Sequence, residues 1–123
     1  MSTQTVARLF GVVFILVGAL GFVLGGFGKE PSMLLGLFPV NGIHNAVHVL
    51  FGVWGLMAAG SAGGATTYCR LAGVAYLALT GLAFVDDTTF GLIPIGGHDR
   101  WLHLGLGVIL TYTGFVGGKT AAA

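Results

Sequence analysis

The chain has 123 residues, of which 55% are hydrophobic and only 7% are charged, and its formal net charge at pH 7 is +1. A water-soluble domain of this size would need far more charged side chains to cover its surface. Nucleic acid is excluded as a partner class, because neutralising phosphates requires several basic groups on one face and the chain has no Lys/Arg cluster. The composition therefore predicts a single membrane domain over residues 1–123, with the lipid bilayer as its main surroundings.

Four apolar segments predict four transmembrane helices. They cover residues 6–26, 42–60, 65–85 and 98–117, and each is close to the roughly 20 residues that a helix needs to cross a bilayer. The first segment resembles a signal peptide, but no small-residue cleavage site follows it, so we expect it to be retained. The predicted fold class is an all-α membrane protein with four transmembrane helices.

The loops between these segments predict the orientation of the chain. Four spans place both termini on one side of the membrane, together with Arg8, Arg70 and Lys119. The other side carries Lys29 and Arg100 together with all four acids. The positive-inside rule then predicts cytoplasmic termini. Residues 61–64, Ser-Ala-Gly-Gly, are predicted to form a turn. The outer loops, residues 31–41 and 86–97, carry apolar stretches and are expected to lie against the membrane interface or on top of the bundle.

The sequence contains a tandem repeat of two helical hairpins, over residues 6–60 and 65–117. Arg-Leu-Phe-Gly-Val at 8–12 matches Arg-Leu-Ala-Gly-Val at 70–74, and Gly-Leu-Phe-Pro at 36–39 matches Gly-Leu-Ile-Pro at 91–94. Because each copy has two spans, a pseudo-twofold axis along the membrane normal should relate the copies. Close backbone approach is expected along a seam of small residues that contains Gly11, Gly18, Gly73 and Thr80.

Polar residues occur at matching positions of the second and fourth segments. His44 and His48 are four residues apart and share one helical face, and Asp99 and His103 are their counterparts. Small residues continue both faces, so we expect these faces to point into the bundle. His48 and His103 should then lie at one depth inside the bundle, each in contact with a hydrogen-bond partner, a metal or a tetrapyrrole.

The histidines leave several roles open. A divalent metal could be held by His44, His48, Asp99 and His103, because imidazole and carboxylate suit Zn, Fe, Cu or Mn. His48 and His103 could instead bind a cofactor, either haem or a chlorophyll-type pigment. In the simplest alternative, each imidazole makes a hydrogen bond to a neighbouring helix and fastens the bundle. No nucleophile-and-base motif occurs, so the sequence predicts that the protein is not an enzyme.

The two Gly-Leu-x-Pro motifs, with His44 and His48 in the first copy and Asp99 and His103 in the second, resemble a family of short bacterial four-helix membrane proteins of unknown function. The resemblance covers nearly the whole chain. It implies this architecture and a bacterial inner (cytoplasmic or photosynthetic) membrane, but no activity.

The leading functional hypothesis is a non-enzymatic accessory or structural subunit, whose partners are the other membrane protein subunits of a larger photosynthetic or respiratory complex. It is based on the small size, the Gly-rich faces and the apolar outer loops. The alternative is a haem-, pigment- or metal-binding membrane module that uses the histidine cluster. A small channel or transporter is the third hypothesis, and it is disfavoured because the spans carry no charge away from their ends that could line a polar path.

Overall fold

The computed structural model describes residues 1–117, which form four α-helices and one small β-hairpin. The helices are α1 (Thr3–Gly25), α2 (Gly42–Ala58), α3 (Ala62–Ala83) and α4 (His98–Tyr112), and a π-helical turn, Thr113–Gly117, continues α4. Strands β1 (Ser32–Leu34) and β2 (Phe38–Val40) connect α1 to α2. The four predicted helices are confirmed. Lys119, which was predicted to share a side of the membrane with the termini, lies outside the described residues.

Length and composition single out one helix as a membrane span. Within residues 1–117, only α1 has the necessary length and apolar character, with 23 residues and a mean hydropathy of 2.4 in its most apolar window. Helix α2 is apolar but has 17 residues. Helix α3 carries Arg70, and α4 begins with His98, Asp99 and Arg100, so both are more polar.

The turn between the hairpins is shorter than predicted. Ser61 has extended backbone angles, and its hydroxyl accepts a hydrogen bond from the Gly64 amide at 3.0 Å. Serine in this position is a favoured N-cap, because its side chain satisfies an amide that has no partner within the helix. Helix α3 therefore begins at Ala62 and includes Gly63 and Gly64, which the sequence had suggested were part of a flexible turn.

The β-hairpin lies in the first outer loop and was not predicted. Its strands are antiparallel, with Met33 opposite Pro39 and Leu34 opposite Phe38. Leu35 and Gly36 form the tip with φ values of 55° and 70°. The second outer loop has a related turn, with Phe90 and Gly91 at 60° and 83°. Both Gly-Leu-x-Pro motifs therefore begin with a glycine in the left-handed region, where glycine has no steric penalty.

Helix α1 packs on α2, and α3 packs on α4, through contacts at matching positions of the two copies. A Cβ atom on Gly11 would lie 2.9 Å from the Leu56 nitrogen, and one on Gly73 would lie 2.6 Å from the Thr111 nitrogen. Positions 11 and 73 correspond in the sequence repeat, as do positions 56 and 111. Gly52 contacts Ile15 in the first copy, and Gly107 contacts Leu77 in the second. These residues also occupy corresponding positions in the repeat.

The end of α4 departs from α-helical geometry beside an arginine. The Nε of Arg70 donates a 2.7 Å hydrogen bond to the Gly114 carbonyl, inside the π-helical turn. In the other copy, a terminal nitrogen of Arg8 donates to the Ala59 carbonyl at 3.5 Å. A side chain that competes for helix carbonyls is a known cause of such local irregularity. Both arginines thus hold their guanidinium groups at the same end of the bundle.

Candidate metal centre

The structure brings the four polar residues of the second and fourth helices together. His44, His48, Asp99 and His103 are all buried, each with 4% or less of its surface exposed. Ligand atoms of the three histidines lie within 4.8 Å of one another. His98, by contrast, is exposed at the start of α4 and takes no part in this cluster.

The two histidines of α2 contact each other directly. Their Nε2 atoms are 3.0 Å apart, and their rings are stacked with centroids 4.7 Å apart. This contact follows from the spacing, because residues i and i+4 lie one above the other on a helix. One Nε2 must donate a proton and the other must accept it, so the two rings are different tautomers when both are neutral.

Asp99 joins the two helices across the centre of the bundle. One of its carboxylate oxygens, Oδ2, is 3.6 Å from His44 Nε2, and the other, Oδ1, is 3.3 Å from His103 Nδ1. The backbone carbonyl of Asp99 is 2.9 Å from His103 Nδ1. Because a carbonyl can only accept, Nδ1 of His103 carries a proton, and in the neutral ring Nε2 is then the nitrogen with a lone pair.

Two aromatic residues that were not singled out from the sequence complete the site. Tyr76 stacks on His103 with centroids 5.0 Å apart, and Phe14 lies 5.5 Å from His48. Phe14 and Tyr76 also stack on each other at 5.2 Å. The sequence did contain a signal for them, since the register that matches Arg8 with Arg70 also matches position 14 with position 76.

The outer loops hold the N-terminal end of α2 in place. Asn41 accepts a 2.8 Å hydrogen bond from the His44 amide and so caps α2, and its side-chain amide donates to the Leu92 carbonyl at 2.9 Å. The carbonyls of Pro39 and Pro94 are close enough to interact with the His44 ring. These prolines occupy equivalent positions, so both Gly-Leu-x-Pro motifs converge on one histidine.

Several polar atoms in this cluster have no hydrogen-bond partner among residues 1–117. They are Nδ1 of His44, Nδ1 of His48 and Oδ2 of Asp99, and all three are buried. The Pro39 and Pro94 carbonyls approach the His44 ring without completing a hydrogen bond to its Nδ1. A buried donor or acceptor without a partner costs about 1–3 kcal/mol. Unpartnered buried atoms of this kind are uncommon in folded proteins and call for an explanation.

A cavity of about 120 Å³ opens beside the cluster, between α1, the β-hairpin, α2 and α4. His44, His48 and Asp99 line one end of it, and the remaining walls are apolar. Cavities that hold drug-sized ligands have volumes of about 300–1,000 Å³. A haem or chlorophyll-type ring would therefore require the helices to move apart.

Comparison with known proteins gives a family and no individual relative. No curated protein and no solved structure matches the chain. The model of one family, described as a domain of unknown function (DUF4383), matches residues 4–116. That range includes nearly all of the four helices and every residue of the buried cluster. The chain therefore belongs to the DUF4383 family of unknown function.

Proposed function

We propose that this protein is a four-span membrane protein that binds one divalent transition-metal ion inside its bundle through His44, His48, His103 and Asp99. One observation carries the proposal: three imidazoles and a carboxylate from two helices meet in a buried cluster, with the ligand atoms of the imidazoles within 4.8 Å of one another. Buried polar residues within membrane helices are costly, and they mark functional sites more often than they serve packing alone.

The distances support a mononuclear site. Metal–nitrogen bonds of 2.0–2.1 Å in a tetrahedral site place neighbouring ligand atoms about 3.3 Å apart. The separation of the His44 and His48 Nε2 atoms is 3.0 Å, and His44 Nε2 is 3.6 Å from Asp99 Oδ2. Ligand atoms of the three histidines lie within 4.8 Å of one another, so the third imidazole is close to the pair on α2.

The surroundings of the rings also suit metal ligands. A ligating histidine usually donates its second ring nitrogen to a carbonyl or carboxylate, which fixes the ring. His103 already donates its Nδ1 proton to the Asp99 carbonyl at 2.9 Å. A metal on Nε2 of His44 would leave the ring proton on Nδ1, where the nearby carbonyls of Pro39 and Pro94 are candidate acceptors.

The donor set defines the class of metal. Imidazole favours Zn, Cu, Fe and Ni, and the added carboxylate extends the range to Mn. The cavity beside the cluster has a volume of about 120 Å³, so a metal ion is better supported than haem or a pigment. The sequence has no nucleophile-and-base motif, and we therefore propose a binding module rather than an enzyme.

The proposed location is a bacterial inner membrane, with both termini in the cytoplasm. Arg8 and Arg70 support this orientation, because both lie at the end of the bundle that is remote from the histidines and next to the N-terminus. In this arrangement α2, α3 and α4 also cross the bilayer. The buried polar residues His48, Thr80 and His103 face the interior, and exposed apolar side chains such as Leu50, Leu71 and Ile109 would face lipid.

Titration of the detergent-solubilised protein with Co(II) tests metal binding, because the visible absorption of Co(II) reports its coordination. We expect one Co(II) per chain with nitrogen-dominated, low-coordination absorption. His48→Leu and His103→Leu should each weaken binding by more than the roughly 10–100-fold typical of changes outside the ligand sphere. His98→Leu is the matched control, since it removes an exposed imidazole at the same end of the bundle.

Circular dichroism of each variant establishes that its helices are retained. A Co(II) spectrum that stays that of the hydrated ion after addition of the wild-type protein would contradict the proposal. Equal Co(II) affinities of the wild type and of a His48→Leu variant that retains its helices would also contradict it.

A second candidate function, an accessory subunit of a larger membrane complex, is favoured by the outer loop tips. Leu35 and Phe90 occupy equivalent positions in the two copies, with φ values of 55° and 60° and with 66% and 78% of their surfaces exposed. A left-handed conformation costs a non-glycine residue about 1–3 kcal/mol. Two strained, exposed apolar tips are consistent with a partner subunit that covers them. Purification in mild detergent should then retain a stoichiometric partner, and recovery of the chain alone would contradict this role.

A further inference from the structure

A groove crosses the outer end of the bundle, between the two outer loops. It consists of two adjoining hollows of about 300 and 310 Å³, and three residues, among them Pro31 and Pro94, line both hollows. Its walls also carry the carboxylates of Glu30 and Asp87 and the ammonium group of Lys29. The groove therefore offers a hydrated cation both room and an excess of negative charge, which draws cations to a protein surface.

The histidine cluster lies beneath the floor of this groove. His44 and Asp99 are in the first turns of α2 and α4, at the ends of these helices that face the outer loops. Pro39 and Pro94 both line the groove, and their carbonyls lie against the His44 ring. The segments that precede α2 and α4 therefore form a cover between the groove and the cluster.

The two halves of this cover are held differently. Asn41 caps α2 with its side chain, and its counterpart in the sequence repeat is Gly96. A Cβ atom on Gly96 would lie 2.7 Å from Asp87 Oδ2, so the Asp87 carboxylate occupies the space that a capping side chain would need. Within residues 1–117, no side chain caps α4. Because a missing cap destabilises the start of a helix, the half of the cover that leads into α4 is the easier one to open.

The other approaches to the cluster are unfavourable for an ion. On the side of the termini, the bundle is filled by its hydrophobic core, in which Phe14, Tyr76 and Leu110 each have 2% or less of their surface exposed. On the lipid side, the 120 Å³ cavity has apolar walls apart from the cluster itself. A divalent cation that took either path would lose its hydration among apolar side chains, which is very costly.

We propose that the metal ion enters and leaves its site from the outer side of the membrane, through this groove, and that residues 94–97 are the gate. The inference rests on the proposed metal site and names its route of loading. The Ile95 amide donates a 2.8 Å hydrogen bond to the Asp87 carbonyl, so the gate moves together with the second outer loop. The protein then takes its metal from the periplasm or lumen and not from the cytoplasm.

Obstruction of the groove tests the route, with Co(II) as the probe. In a background without the native cysteine, Pro31→Cys places a thiol on the groove wall, whereas Phe90→Cys places one on an exposed loop tip that lines neither hollow. After both are labelled with fluorescein maleimide, stopped-flow absorption should show Co(II) association and release slowed about tenfold or more in Pro31→Cys. The Co(II) affinity should not change, because a higher barrier slows both directions equally. Labelled Phe90→Cys and unlabelled Pro31→Cys should keep wild-type rates.

A second variant tests the gate itself. Gly96→Ala crowds the Asp87 carboxylate and should accelerate both Co(II) association and release, by about threefold or more. Gly105→Ala is the matched control on α4, because a Cβ atom there would have no neighbour within 4 Å, and it should keep wild-type rates. In liposomes, protein whose outer loops face the external solution should retain added cobalt after free ions are removed, and protein in the opposite orientation should not.

The outcomes separate this inference from the proposed function. A wild-type protein that binds no Co(II) overturns both. Wild-type rates in labelled Pro31→Cys, or cobalt loading from the side of the termini, would overturn the groove route and leave the metal site standing. Equal rates in Gly96→Ala and Gly105→Ala would overturn the assignment of the gate.

Discussion

The seam between α3 and α4 leaves no room for a side chain at Gly73. A Cβ atom there would lie 2.5 Å from Thr111 Oγ1, 2.6 Å from Thr111 N and 2.9 Å from Thr111 Cα. Two of these three atoms belong to the backbone, so side-chain rotation cannot relieve the contact. Gly73→Ala must push the two helices apart. Gly81 lies on the same helix, and a Cβ atom there would have no neighbour within 4 Å, so Gly81→Ala adds the same atoms without contact.

The difference between these two variants isolates the packing contribution. Both substitutions gain helix propensity, by about 1 kcal/mol at most, and this gain cancels in the comparison. Overpacking a tight contact costs about 1–3 kcal/mol, and backbone contacts put Gly73 in the upper part of that range. We therefore expect Gly73→Ala to unfold with a free energy about 2–3 kcal/mol below that of Gly81→Ala.

Reversible unfolding in mixed micelles, followed by tryptophan fluorescence, measures this difference. Helix separation at the seam should also move α4, and with it His103, so Co(II) affinity should fall in Gly73→Ala and be unaffected in Gly81→Ala. Equal unfolding free energies for the two variants would refute the close approach of α3 and α4 at this position.

Three further predictions concern the outer loop, the orientation and the helix cap. Hydrogen bonds from Thr88 hold the pKa of Asp86 below its ordinary value. The ionised carboxylate therefore stabilises the loop at higher pH, and this stabilisation is lost as the pH falls through the lowered pKa. The NMR chemical shift of the Thr88 amide should follow this titration, and Asp86→Asn should abolish the pH dependence of that shift. Cysteines at Ser2 and Ser32, in a background without the native cysteine, should be labelled from the cytoplasmic and the outer side respectively, and the reverse pattern would contradict the orientation. Ser61→Ala removes the cap of α3 and should lower the unfolding free energy by about 1 kcal/mol, which unfolding in mixed micelles would detect.

The sequence repeat predicted most of what positions the candidate site. Apolar segment lengths indicated the four helices, and the i, i+4 spacing of His44 and His48 indicated their shared face. The matching of His48 with His103 indicated that the two rings belong together, and their centroids are 5.7 Å apart in the structure. Phe14 and Tyr76 were missed because aromatic residues are common in apolar segments, and only the repeat register distinguishes them.

Other features depend on tertiary contacts that sequence patterns do not encode. The β-hairpin strands have three residues each and include Pro39, which has no amide proton, so neither strand has a recognisable sequence pattern. The sequence Gly63-Gly64 alone is typical of a turn, but the N-cap at Ser61 starts α3 at Ala62, so both glycines are helical. The π-helical turn at the end of α4 accompanies a hydrogen bond from Arg70, which lies on another helix.

X-ray absorption spectroscopy of the Zn(II)-loaded protein tests the central claim most directly, because imidazole rings give characteristic outer-shell scattering. The proposed site predicts three imidazole ligands and one carboxylate oxygen at about 2.0–2.2 Å. The spectrum of His98→Leu should be the same, and that of His48→Leu should lose the three-imidazole signature. A shell of oxygen atoms without imidazole scattering in the wild-type protein would contradict a metal site built from His44, His48 and His103.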